Sequence, residues 1–315
     1  FGIEGMQISC ALSLGVAFHP RDGEDADTLI RNADMALRQA RKAGPDCCYF
    51  FEPQMTVAAE RYAQTREALR RGLERGEFEL HYEPRLELAQ NEVVGFEAQL
   101  QWRRNGQVQQ LAGELLDAAR DSGLIVPLGR WALQQACQQA SIWQQQGHKL
   151  QVSVGLSALQ CRGGQAERDL LLALRESGLA PGQLELLLPA NIVQLHDEAA
   201  VAMLARCSEL GVQLCLDDYG GGYLNLTYLR QLRVGKLRLD LGTLTQAGQL
   251  DQAQLRTLLH GARELGLATG TSDVESGEVL GLLRELGCNE VQGPVLAAAM
   301  PAEAVASWLQ QQSQG

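Results

Sequence analysis

The sequence holds no apolar stretch of the roughly 18 residues that a membrane helix needs, and no signal-peptide pattern opens it. A protein without a membrane span is expected, placed in the cytoplasm, with anchoring by a segment outside this chain left open. Basic runs are missing too: 27 Lys+Arg stand against 38 Asp+Glu, a formal net charge of −11. Nothing of that kind holds a polyphosphate backbone, so extended nucleic acid is excluded as a partner. The eight cysteines (Cys10, Cys47, Cys48, Cys137, Cys161, Cys207, Cys215, Cys288) include no Cys-x-x-Cys pair, and several fall inside apolar strand or helix patterns. They read as buried reduced thiols ahead of a disulfide frame or a zinc site. His19, His81, His148, His196 and His260 lack ligand-like spacing and read as structural or surface groups.

What is present is organised around Val212-Gln213-Leu214-Cys215-Leu216, which runs into Asp217-Asp218-Tyr219-Gly220-Gly221-Gly222-Tyr223. An apolar run of strand length that ends in two carboxylates and a glycine cluster puts both acids at the carboxyl end of a buried strand. Neighbouring strand residues point to opposite faces, so Asp217 and Asp218 can share a site only if the backbone turns between them, as the glycines would permit. Paired carboxylates suit Mg²⁺ or Mn²⁺, and the competing reading is an Asp-rich turn that merely stops the strand.

The remaining pattern predicts an α/β chain. Residues 8–17 read as a buried strand, a helix from about Asp27 carries Leu29, Ile30, Ala33, Met35, Ala36 and Leu37 on its buried face until Gly44-Pro45, and Cys48–Phe51 reads as a short strand. So short a unit cannot bury a core alone and reads as part of a larger domain. An Arg- and Glu-rich helix over 53–75 follows as a connector. Strands are then expected near 78–86, 93–101, 150–156, 183–188, 212–217, 235–240, 267–271 and 289–293. Helices are expected near 111–122, 126–147, 165–178, 194–210, 221–232, 251–265, 276–287 and 301–312, with a frayed tail over Gln310–Gly315. Eight strands, mostly separated by helices, predict a TIM-like (β/α)8 barrel with its site on the carboxyl-end loops. The first two strands are joined only by Leu88–Glu92, which permits a hairpin but no parallel crossover, so the first strand should run antiparallel.

The chain's local motifs extend this reading: Tyr82-Glu83-Pro84, Gly95-Phe96-Glu97-Ala98-Gln99, Leu128-Gly129-Arg130-Trp131, Asp217-Asp218-Tyr219-Gly220, Leu237-Arg238-Leu239-Asp240 and Gln292-Gly293. In that order and spacing the chain resembles the EAL family of cyclic di-GMP phosphodiesterases over about 76–312. Ahead of it, Ser13–Ala17, Pro20-Arg21-Asp22-Gly23 and Ala33–Leu37 resemble the C-terminal part of a GGDEF diguanylate cyclase domain, without that family's signature loop and with Arg41 at its nucleotide-associated lysine. The domain reading is therefore a GGDEF-like remnant over 1–52, a helical connector over 53–75 and an EAL-like barrel over 76–315, with no cyclase activity.

The resemblance implies two-metal hydrolysis of a phosphodiester, with Glu97, Asp217 and Asp218 as metal ligands. It also exposes losses. Three of the six implied ligands are replaced, by Gly155, Leu187 and Ser272; the loop-ordering glutamate is Ala190, and the lysine beside the attacking water is Arg238. Arginine cannot give up its proton and presents a planar fork, so it replaces that lysine poorly. Asp273, one place beyond Ser272, is the only visible substitute ligand. For phosphate recognition the implied arginine is Gln101 and the implied glutamine is Glu83, leaving Arg238, Glu275, Gln292, Arg103 and Arg104 as candidate ligand-binding residues. The expectation is a catalytically inactive EAL domain that needs no cofactor and holds at most one weakly bound Mg²⁺ or Mn²⁺. It would act in cyclic di-GMP signalling as a homodimeric partner-binding module or a cyclic di-GMP sensor. The alternative is a weak metal-dependent phosphodiesterase that linearises cyclic di-GMP.

Overall fold

The computed structural model describes all residues except 1, 4, 5, 8–11, 44, 45, 105, 191, 193–196, 221–228, 230, 231, 247, 248 and 313–315. The first half of the strand expected over 8–17, the Gly44-Pro45 stop, the start of the helix expected over 194–210, nearly all of that expected over 221–232, and the end of the tail lie outside the described residues. So do Cys10, His196 and the glycines at 221 and 222. The chain divides into two compact units, Phe1–Arg71 and Gly72–Gly315.

In the first unit, Leu14–Val16 pairs in parallel with Cys48–Phe50, and helix α1 (Ala26–Ala43) connects them. The helix lies flush on its strand at Gly15, where a Cβ would stand 2.2 Å from the Ala33 carbonyl oxygen. Only glycine fits there. Two sequence expectations need correction. Ile30 is 69% exposed because it sits about 100° around the helix from the buried Ala36–Ala40 stripe. The strand expected to be buried leaves Leu14 55% exposed, and Phe50 on its partner is 51% exposed. Helix α2 spans Pro53–Glu74.

The second unit is a closed eight-stranded barrel with helices around it, as predicted. Its strands are β1 (Phe78–Glu87), β2 (Glu92–Arg104), β3 (Gln151–Gly155), β4 (Leu184–Pro189), β5 (Gln213–Tyr219), β6 (Lys236–Asp240), β7 (Ala268–Ser272) and β8 (Glu290–Gln292). From β2 to β8 every neighbouring pair is parallel. The first strand alone opposes both of its neighbours, pairing Glu83 with Glu97 on β2 and Arg85 with Gln292 on β8. The tight link from Glu87 to Glu92 forces that reversal. Beyond the barrel end, β2 continues into a hairpin with Gln107–Gln110.

Alternation along each strand sorts its side chains. Phe96, Val152, Val154, Leu184, Leu186, Leu188, Leu214, Leu216, Leu237, Leu239 and Val291 face the helices and build the apolar core. Helix α3 (Ile125–Gln145) seals one side, with Trp143 packed 4.8 Å from Tyr82 and 5.4 Å from Phe96, ring centre to ring centre. Each fully buried leucine of this layer contributes about 1.5–3 kcal/mol. The alternate positions point into the barrel and carry its polar residues. Cys137, Cys161, Cys207, Cys215 and Cys288 are buried thiols as expected, whereas Cys48 is exposed. Among the described residues, no helix is long and apolar enough to cross a membrane.

Candidate functional site

The carboxyl ends of β2 to β8 form the mouth in which the sequence placed the chemistry. On β5 the turn between the paired acids is made by Asp218 itself, at φ +53°, with a break in the β5–β6 register between Leu216 and Tyr219. Aspartate tolerates this left-handed backbone better than most residues. Its amide donates to Asp217 Oδ1 at 2.8 Å, and its carboxyl lies close enough to Asp217, Arg238, Asp240 and Glu97 to feel their charges. Partial burial, then the Asp217 charge, push the Asp218 carboxyl up to about 6, against a smaller opposing effect of Arg238.

Arg238 sits at the middle of β6, is 7% exposed and points inward. Its Nε donates to Asp217 Oδ1 at 2.5 Å and its Nη2 to Asp217 Oδ2 at 2.7 Å, a side-on pairing of fork with carboxylate. Nη1 donates to Glu97 Oε2 and, at 3.1 Å, to Gln292 Oε1. Burial on its own would lower the Arg238 pKa, but Glu97 and Asp217 hold it well above the usual arginine range.

Gln292 extends the network. Its Nε2 donates to Glu97 Oε2 at 2.8 Å and to Glu83 Oε2 at 2.6 Å, and Gln99 Nε2 donates to the same Glu83 oxygen at 2.5 Å. Burial raises the Glu83 pKa, with Glu97 and Asp273 adding to the rise and the Gln292 bond opposing it. The mouth therefore joins Glu97, Asp217, Arg238 and Gln292, all named from sequence, with Asp218 beside them. Glu83, read from sequence only as a charge that would repel phosphate, proves to be an acceptor for two amides.

Other expected participants stand apart from that network. Arg103 is bound to Glu79 at 2.7–3.0 Å, and the Arg104 guanidinium lies 5.2 Å from the Trp102 ring centre, both on the hairpin extension of β2. Asp273 takes a left-handed backbone, φ +56°, and its charge reaches Glu83; Glu275 is exposed. Gly155 and Leu187 face each other across β3 and β4, Leu187 only 3% exposed. Ser272 closes β7.

A second charged cluster, invisible to sequence reasoning, fills the opposite end of the barrel. Arg85 Nη1 meets Glu185 at 2.7 Å and Glu290 at 3.0 Å, while Lys236 Nζ lies 2.7 Å from each of the same two acids. Ser153 Oγ donates to Glu185 at 2.9 Å, and Arg85 Nη2 to Gln151 Oε1 at 3.1 Å. Burial would raise the Glu185 carboxyl, but Arg85 and Lys236 outweigh it and hold it down at about 2. The only sequence signal was a single charge inside each of the runs Leu184-Glu185-Leu186 and Gly235-Lys236-Leu237, on strands whose relative register cannot be read from one chain.

A pair of divalent cations does not fit this mouth. Glycine and leucine at 155 and 187 supply no oxygen, Ser272 supplies no charge, and two of the three remaining acids already hold a guanidinium. Among the described residues, no three His, Cys, Asp or Glu side chains converge as metal ligands would.

The EAL domain family model matches residues 66–299. The chain belongs to the EAL family. A curated relative of this EAL barrel from Pseudomonas aeruginosa, the bifunctional diguanylate cyclase/cyclic di-GMP phosphodiesterase MucR, is 32% identical over 306 residues, 96% of this chain and 45% of its own length. The cyclic di-GMP phosphodiesterase NbdA of the same organism is 32% identical over 310 residues, 98% of this chain and 40% of its own length. The chain thus spans less than half of either curated relative. Among solved structures, the MucR phosphodiesterase in its c-di-GMP complex superposes with a TM-score of 0.71 at 32% identity, over 77% of this chain and 99% of that one. The Xanthomonas citri FimX EAL domain in complex with c-diGMP, at 24% identity and a TM-score of 0.68, covers 78% of this chain and 97% of its own, and shows the shared fold.

Proposed function

We propose that this EAL barrel is a regulatory module of cyclic di-GMP signalling that does not hydrolyse the dinucleotide. The carrying observation is the Gly155–Leu187 pairing: one wall of the mouth, across two adjoining strands, offers no oxygen donor where the family's chemistry calls for two. Without them the cations that would activate water and neutralise phosphate charge lack their ligand number and charge. In this reading the region over 1–52 is a GGDEF-like remnant, the helix over 53–75 a connector, and the barrel's output a shift in a conformational equilibrium that a protein partner reads. The phosphate-binding candidates support a protein partner ahead of the nucleotide as input. Arg238 is committed to two carboxylates, Arg103 to Glu79, and Arg104 lies over Trp102.

The test is incubation of the purified chain with cyclic di-GMP and Mg²⁺ or Mn²⁺, followed by chromatography for the linear dinucleotide. No product above the protein-free rate is expected. Product that forms and collapses on Asp217→Ala would overturn the reading and favour the weak phosphodiesterase, with Asp273 as a substitute ligand. Hydrolysis is expected only when Gly155→Asn, Leu187→Glu, Ser272→Glu and Arg238→Lys are combined, because ligands that act as a unit are restored as a unit. Titration calorimetry with cyclic di-GMP then separates the two inputs: absence of heat leaves the protein-binding module, and micromolar binding lost in Arg238→Ala establishes a sensor.

A further inference from the structure

We infer that Arg238 is a built-in cation that takes the place of divalent metal in this mouth, so that the barrel holds its carboxylates together without an ion and excludes one from them. The inference rests on the non-hydrolysing reading of the same site and adds to it a specific occupant.

Three observations carry it. The guanidinium bridges the acids that face each other across the barrel, Asp217 on β5 through two bonds of 2.5 and 2.7 Å and Glu97 on β2 through Nη1. That is the task of a metal ion, which draws carboxylates from separate strands onto one positive centre, here done by a charge on the chain that no chelator can remove and no accessible pH can discharge. Next, the guanidinium is braced. Gln292 Oε1 accepts from Nη1 while its amide nitrogen is pinned by Glu97 and Glu83, and Glu83 is itself held by Gln99. With the Gln292 amide oriented by those acceptors, its oxygen faces Arg238, and the fork is fixed in its plane. Lastly, the positions that lost their donors are consistent with a cation of this shape. A planar fork satisfies two acids from within their own plane and asks nothing of the opposite wall, where Gly155 and Leu187 stand. A metal ion asks for six ligands around it and finds no oxygen on that wall. For an ion to reach Glu97 or Asp217 it would have to break charge-assisted bonds on a buried group and stand beside a permanent positive charge.

Removal of the guanidinium alone should therefore convert the mouth from metal-indifferent to metal-responsive. Glu97 and Asp217, now held on the one guanidinium with Asp218 beside them, would then be left without a countercharge, and a divalent ion drawn in between them is what would relieve them. The experiment compares the chain with Arg238→Met, which keeps most of the apolar stem, and Arg238→Lys, which keeps the charge but gives up the fork. Each is followed by thermal unfolding with a metal chelator or with millimolar Mn²⁺, and by electron paramagnetic resonance of Mn²⁺ as a direct count of bound ion. The unaltered chain is expected to unfold at the same temperature in both conditions and to leave the Mn²⁺ spectrum that of the free ion. Arg238→Met is expected to gain about 5 °C or more on Mn²⁺ addition, with a matching loss of free-ion signal. Arg238→Lys, with its charge retained, is expected to show a gain less than half as large. Stoichiometric Mn²⁺ binding by the unaltered chain, or a folded Arg238→Met that stays indifferent to Mn²⁺, overturns the inference. Should Arg238→Met fail to fold without metal, recovery of its fold when Mn²⁺ is present during refolding supports the inference, and failure in both conditions counts against it. Binding of Mn²⁺ by the unaltered chain with no linear dinucleotide formed would defeat this inference while leaving the non-hydrolysing reading intact.

Discussion

Gly155 and Leu187 are register partners across β3 and β4, yet they leave their common wall in opposite states. A Cβ at Gly155 would meet nothing within 4 Å, whereas Leu187 is 3% exposed. The two substitutions that would return oxygen donors should then cost very different amounts. Gly155→Asn is expected to change stability by less than about 0.5 kcal/mol, and Leu187→Glu to lower it by roughly 2–4 kcal/mol, since it buries a carboxylate that has no partner. Urea unfolding of the two variants measures the asymmetry, and equal losses would contradict it.

Arg238→Met in the absence of metal should destabilise the chain by about 3 kcal/mol, most of it the penalty of leaving the partly buried Glu97 and Asp217 without their countercharge. Pairing it with Asp217→Asn tests the cause. The double variant should lose less than the sum of the single losses by about 1 kcal/mol or more, because both changes break the same contact. Strict additivity would show that the side-on pairing carries no coupling.

The charge cluster at the far end of the barrel sets an acid limit. With its folded pKa held at about 2 against an ordinary 4.5, Glu185 adds stability that is fully present above the unfolded value and is lost as pH falls from 4.5 toward 2. That contribution is on the order of 3 kcal/mol, and Glu185→Gln should remove the corresponding part of the acid dependence. The measurement is the denaturation midpoint of both proteins across this window; parallel curves would mean that Glu185 does not titrate against Arg85 and Lys236.

Asp218 acts in the opposite direction. Its folded pKa, raised from 3.8 to about 6, means that the folded chain binds this proton more tightly than the unfolded one. Its penalty is absent below 3.8, grows as pH rises through 6 and is fully present above. Asp218→Asn should therefore stabilise the chain above pH 6 and lose that advantage progressively below it; asparagine accepts the left-handed backbone at this position as readily as aspartate. A gain that stays constant from acid to neutral pH would point to a cause other than charge.

The barrel was legible in the sequence because its evidence is local. Strand-length apolar runs, amphipathic helices between them and the short link from Leu88 to Glu92 each dictate structure within a few residues, and together they specify even the reversed first strand. The mouth was half legible. Asp217 announces itself near the end of its strand and Glu97 through the motif that carries it, but whether the Arg238 fork turns to a ligand or back to those acids depends on the register of β5, β6 and β2 around a closed sheet. Arg103 and Arg104 were named because they lie close to Gln101; at strand rise, the five and six residues that separate them from Glu97 carry both out onto a hairpin. The cluster of Arg85, Glu185, Lys236 and Glu290 was illegible for the same reason that it is stable: four isolated charges on four strands meet only after closure.

The reversed first strand has one more consequence. Glu83 and Arg85 are a single pleat apart on β1, and they reach opposite ends of the barrel interior, Glu83 toward Gln99 and Gln292, Arg85 toward Glu185 and Glu290. The smallest slip of β1 that keeps its inward and outward faces is two residues. Slid one way, Arg85 would arrive in the place of Glu83, next to the network that already contains Arg238. Slid the other way, Glu83 would arrive in the place of Arg85, against two glutamates. Either error sets like charges against each other in a closed interior, so the sign pattern along β1 works as a combination lock that admits one alignment of the strand.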